Sequence, residues 1–183
     1  MTPGSRVSSV LRFRRLLVVP VAAVALAACG SSSDKPTPTV IAGLDPCLVG
    51  SWKSVGVSGT VTSADGSLHI PLSGGAGRHA VIRPDGSVTL VYDGSDPEKG
   101  IGSDGATYTI DNAGQFAGKL RTSGNQATLD VTDSGNATQT ISKNGTALQK
   151  SAPQPEQVST YTCKSRSTLA VTTFGITVKW VPA

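Results

Sequence analysis

The segment Asp85-Gly86-Ser87-Val88-Thr89-Leu90-Val91-Tyr92 decides how the rest of the chain reads. A turn dipeptide stands at its head, and behind it Val88, Leu90 and Tyr92 alternate with Ser87, Thr89 and Val91. A period of two sends successive side chains to opposite faces of a strand, so one face of this segment is wet. The pattern recurs further along. Tyr108 and Ile110 alternate with Thr107 and Thr109, and Leu129 and Val131 with Thr128 and Asp130. Leu169 and Val171 belong to one late run, while Ile176, Val178 and Trp180 alternate with Thr177 and Lys179 in the last.

The runs are separated by Asp65-Gly66, Asp85-Gly86, Asp104-Gly105, Ser134-Gly135 and Asn144-Gly145. Such pairs tolerate the positive φ angles of tight hairpins, so they mark consecutive antiparallel strands. No helical stripe and no repeat of fixed length interrupts them. Aromatic residues make up only 4% of the chain, against 21 glycines, so the core must be built from small and β-branched side chains on a pleated surface. The expected fold is all-β: one antiparallel up-and-down barrel of about 8–10 strands, with a two-sheet sandwich as the alternative.

The N-terminus has a different character. Arg6, Arg12, Arg14 and Arg15 precede thirteen residues, Leu16 to Ala28, that are all apolar or Pro, and small residues then lead into a cysteine as Leu26-Ala27-Ala28-Cys29. Thirteen residues fall short of the roughly 20 needed to cross a bilayer. The arrangement resembles the signal and lipobox of bacterial lipoproteins. That resemblance implies cleavage before Cys29, a lipid thioether on its sulfur with acylation of the new amino group, and residence on the extracytoplasmic face of the cell membrane. The expected organisation is a signal peptide over 1–28, a lipidated tether over 29–45 and a barrel domain over 46–183.

Removing the leader removes four arginines and no acid, which leaves 12 Lys+Arg against 12 Asp+Glu. Nucleic-acid binders present a basic face or stripe, so nucleic acid is not an expected partner. Lipidation of Cys29 leaves Cys47 and Cys163 as an even pair in an oxidising compartment, and a bridge between them is expected, with two buried free thiols as the alternative.

Leu48-Val49-Gly50-Ser51-Trp52 opens the domain with a Gly-x-Trp, and the chain closes with Tyr161-Thr162-Cys163, a strand containing Leu169, and Trp180. This layout resembles lipocalins and other calycin barrels, and the small lipocalin-like domains of secreted actinobacterial proteins. The resemblance implies that Trp52 seals one barrel end, with Trp180 packing there and a basic residue from a late strand over the indole; Arg121, Arg166 and Lys179 are all open for that role. It also implies an apolar or amphipathic ligand in the barrel. Leu90, Tyr92, Tyr108, Ile110, Phe116 and Leu129 are the candidate lining, and ordinary core packing is the alternative for the same residues.

Catalytic chemistry finds little foothold. His69 and His79 have no ligand-spaced partners, so neither a metal nor a cofactor is expected. Gly56-Val57-Ser58-Gly59-Thr60 lacks the last glycine of a hydrolase elbow. The stretch Asp93 to Gly100 carries Pro97 and Glu98 where a calcium loop needs other residues, and reads as a solvated hairpin loop. The reading is therefore not an enzyme. It is a membrane-anchored carrier of an apolar ligand, with a structural or protein-interaction module of the cell envelope as the alternative.

Overall fold

The structure is a computed structural model and describes residues 43–183, so Cys29, the lipobox and most of the tether lie outside the described residues. The described chain holds no helix; it forms thirteen strands in a single hydrogen-bonded sheet. Eight of them close into a ring: β1 (Gly50–Thr62), β3 (His79–Ile82), β4 (Ser87–Val91), β7 (Gln115–Ser123), β8 (Gln126–Asp133), β11 (Glu156–Lys164), β12 (Thr168–Thr173) and β13 (Ile176–Pro182), which returns to β1. Every pairing is antiparallel and the ring follows chain order, so this is a closed up-and-down barrel that fits a lipocalin-like fold.

The remaining five strands lie outside the ring. β2 (His69–Gly74), β5 (Glu98–Ile101), β6 (Thr107–Ala113), β9 (Thr138–Lys143) and β10 (Thr146–Ser151) leave the barrel in three excursions and stack beside one another in the order β2-β5-β6-β9-β10. Together they make a wing that grows from the far half of β1. Asp93 to Gly100 is not all loop: its end is β5, where Glu98 pairs with Ile110 of the next strand, β6, and with Gly74 of the more distant β2. Pairing on both edges orders a segment with no alternation of its own.

β1 is shared because it forks. Gly50–Lys53 pair with β3, Val57–Thr62 pair with β2, and β13 runs along the other side of both halves. Ser54 fills the gap between the two partners: its amide donates to Arg78 O at 2.9 Å, its hydroxyl donates to Gly75 O at 2.9 Å and accepts from the Arg78 amide at 2.9 Å. A buried backbone must find partners for its polar groups, and a small hydroxyl inside the fork supplies them.

The five turn dipeptides all fall between strands, and the glycines they contain adopt positive φ, for instance 75° at Gly86 and 77° at Gly105. Within the ring, inward residues alternate with outward ones. Leu48, Trp52, Ile82, Val88, Tyr161, Leu169 and Trp180 belong to one buried core. The indole of Trp52 donates to Leu48 O at 2.8 Å. None of the three basic candidates for its cover lies inside: Lys179 alternates outward beside Trp180, Arg166 is an exposed turn residue, and Arg121 pairs at the surface with Asp130. A second core, Ile70, Leu72, Ala106 and Tyr108, belongs to the wing.

The barrel end sealed by Trp52 is strapped by the incoming chain. Leu44 and Leu48 are buried, the Tyr161 hydroxyl donates to Asp45 Oδ2 at 2.9 Å, and Cys47 is disulfide-bonded to Cys163 with Cα atoms 6.1 Å apart. Among the described residues, Leu44 is already buried, two positions before Pro46.

Candidate functional site

The six candidate lining residues occupy three places. Leu90, Phe116 and Leu129 are in the ring; Leu90 and Phe116 are cross-strand partners, and Leu129 faces Leu120. Tyr92 follows β4 at the junction of barrel and wing. Tyr108 and Ile110 are in the wing, packed with Ile70 and Leu72, and do not line the barrel. Period-two alternation reports that a face is buried, but not whether ring or wing buries it.

Burial inside the ring is uneven: Trp52 and Trp180 are buried, whereas Leu90, Leu129, Val171 and Val178, which pack against the same cluster, are only partly buried. Eight strands enclose an interior just wide enough for side chains or one small ligand.

The barrel meets the wing through a charged contact. Arg78 continues the inward row of Ala80 and Ile82, reaches across to Glu98 on β5 and forms an ion pair in which both side chains are only 8% exposed. The guanidinium also lies 5.6 Å from the centre of the Tyr92 ring, and Tyr92 tilts against Phe116 with centroids 6.0 Å apart. Arg78 Nε is buried without a hydrogen-bond partner. Burial pushes the Tyr92 hydroxyl above its ordinary pKa; Arg78 opposes that shift and Glu98 adds to it. The contact needs a glycine beside it: a Cβ on Gly75, at φ +68°, would sit 2.5 Å from Val57 Cγ2 and 3.0 Å from the guanidinium. Sequence reasoning passed over Arg78, although a charge two residues before Ala80 on the same strand face was the available signal.

Two grooves stand out on the surface of the described residues. One, of 420 Å³, lies between Gly43–Leu44 and the β7–β8 strands. The other, of 480 Å³, lies on the wall formed by β11, β12, β13 and β1, lined by Val55, Thr162, Ala170 and Val181 with Lys164 and Lys179 at its rim. Among the described residues no three His, Cys, Asp or Glu side chains converge as a metal cluster. Compared with protein-family models, curated proteins and solved structures, the chain gives no significant match.

Proposed function

We propose that the chain is an exported lipoprotein, anchored through Cys29 to the extracytoplasmic face of the membrane, whose barrel takes one apolar or amphipathic ligand. The observation that carries the reading is the contrast inside the ring: Trp52 and Trp180 are buried, while Leu90, Leu129, Val171 and Val178 are only partly buried. An apolar wall that keeps some contact with solvent gains free energy when a hydrophobic molecule covers it. The Cys47–Cys163 bridge supports export, because disulfides persist in oxidising compartments.

Native mass spectrometry of the purified full chain should detect a co-purified apolar molecule, and an environment-sensitive apolar fluorophore should be displaced saturably. Filling the space with Leu90→Phe and Leu129→Phe should weaken that binding at least tenfold while the melting transition is kept. A chain that carries nothing and binds no probe would sink the carrier reading. Cys29→Ser should abolish metabolic lipid labelling, and persistent labelling would refute the anchor.

One observation favours an interaction module instead. Phe174, at the tip of the β12–β13 hairpin, is 92% exposed and held at φ +50°. A large apolar side chain in a strained turn is kept there against its own preference. A photo-crosslinking residue at position 174 in intact cells should capture a single protein neighbour under that reading, and no product under the carrier reading.

A further inference from the structure

We propose that the outer wall of β11, β12, β13 and β1 docks on an anionic lipid surface; the placement rests on the Cys29 anchor proposed above. Strand register assembles this wall from residues far apart in sequence. One outward row joins Lys164 to Thr168 and Val181 to Lys53, and the next joins Thr162 to Ala170 and Ala170 to Lys179. Lys53, Lys164, Lys179 and the turn residue Arg166 are exposed, and among the described residues none of them forms an ion pair. The 480 Å³ groove between them is lined by Val55, Ala170 and Val181 and contains no Asp or Glu. Although the chain beyond residue 28 is neutral overall, the groove end of this wall carries lysines and no acid around an apolar floor, with Glu156 at the opposite end of β11.

The position of the wall agrees with its charge. Cys163 lines the groove and is bonded to Cys47, so the chain coming from the anchor is fastened beside it. Gly43 follows Cys29 by fourteen residues, a length that spans at most about 50 Å. A lipid on Cys29 therefore keeps this end of the barrel within reach of headgroups. Each Lys or Arg close to an anionic membrane strengthens binding about fivefold, an attraction that salt screens within a Debye length of about 10 Å. The apolar floor adds a shallow surface for acyl or glycerol groups, in the way interfacial segments combine charge with buried apolar area.

The test uses the full chain purified from membranes and reconstituted into vesicles of phosphatidylcholine alone or with one-quarter phosphatidylglycerol. Amine-reactive labelling, read residue by residue by mass spectrometry, should be at least threefold slower at Lys53, Lys164 and Lys179 on the anionic vesicles, with Lys99, Lys119 and Lys150 unchanged. High salt should reverse the protection. Lys164→Glu with Lys179→Glu should remove it from Lys53 without moving the melting temperature. Should the chain carry no lipid, the same protein added to preformed vesicles should still sediment with the anionic ones only, which separates loss of the anchor from loss of the docking face. Equal labelling on both vesicles overturns the proposal, as does protection of these lysines in intact envelopes but on neither vesicle, which would assign the face to an acidic protein.

Discussion

Replacing Glu98 by Gln tests whether the buried pair is what joins wing to barrel. The substitution keeps the side chain's shape and removes its charge, leaving the Arg78 guanidinium in a site where both partners are only 8% exposed. Breaking one side of a buried pair costs about 3–5 kcal/mol, because the surviving charge has lost both water and partner. The described domain of 141 residues has an unfolding entropy of roughly 0.3 kcal/mol per degree, so its melting temperature should fall by about 10–17 °C. Removing both charges with Arg78→Met and Glu98→Leu should restore most of that loss, since an apolar pair of similar volume needs no counter-charge. The double variant still forfeits the cation–π contact with Tyr92, about 1 kcal/mol.

Urea unfolding of Arg78→Met, Glu98→Leu and the double variant closes a thermodynamic cycle, and hydrogen exchange locates the damage. Amides of β2 and β5 should lose protection before those of β12 and β13, because Glu98 sits on β5 and its strand holds β2 through only two register pairs. A Glu98→Gln variant within about 1 kcal/mol of wild type, or a double variant whose loss equals the sum of the singles, would refute the argument.

Other perturbations follow from single contacts. Phe174→Asn should raise the melting temperature by about 3 °C, because the left-handed conformation at φ +50° costs an ordinary L-residue about 1 kcal/mol and this side chain, 92% exposed, has little packing to lose; a fall would show that Phe174 is held by a contact. Replacing Cys47 and Cys163 by Ala opens a loop with a sequence separation of 116, worth about 4.8 kcal/mol on the chain-entropy model, so urea unfolding should show a loss of about 2–5 kcal/mol. Asp104 is held down to about 2, first by the hydrogen bond from Lys143 and then by the Ala106 amide. Its contribution to stability is therefore complete above the ordinary carboxylate range near pH 4 and is lost as pH falls through about 2. In Lys143→Met the NMR-detected midpoint of Asp104 should move up toward the ordinary value, and an unmoved midpoint would contradict the assignment.

The barrel was legible wherever one face of a strand is buried and the other is wet. Ser87 to Tyr92 shows its period because Val88 and Leu90 point into the ring while Thr89 points out, and Asp85-Gly86 shows its turn because only certain residues accept the φ found there. The eight ring strands fall within the expected number, and Trp52 and Trp180 belong to one buried cluster. The wing was not legible as a wing. Glu98-Lys99-Gly100-Ile101 has no alternation to read, and becomes a strand only because β6 and, over two register pairs, β2 flank it. Tyr108 and Ile110 display the same alternation as Leu90, yet bury themselves against Ile70 and Leu72 instead of lining the barrel.

The functional surfaces depend on that same long-range register. Lys53 and Lys179 each follow or precede an inward tryptophan, so their outward direction is written in the local pattern, but their meeting with Lys164 depends on β13 pairing with β1 on one side and β12 on the other. A one-residue slip of β13 would turn Trp180 outward and Lys179 into the ring, exposing an indole and burying a charge. The core that fixes the register of β13 therefore also fixes the charged wall. Stability and the proposed docking face are not independent here: a variant that loosens Trp180 should scatter the lysines before it unfolds the barrel, and lysine labelling at position 179 would report that loss of register ahead of any change in strand content.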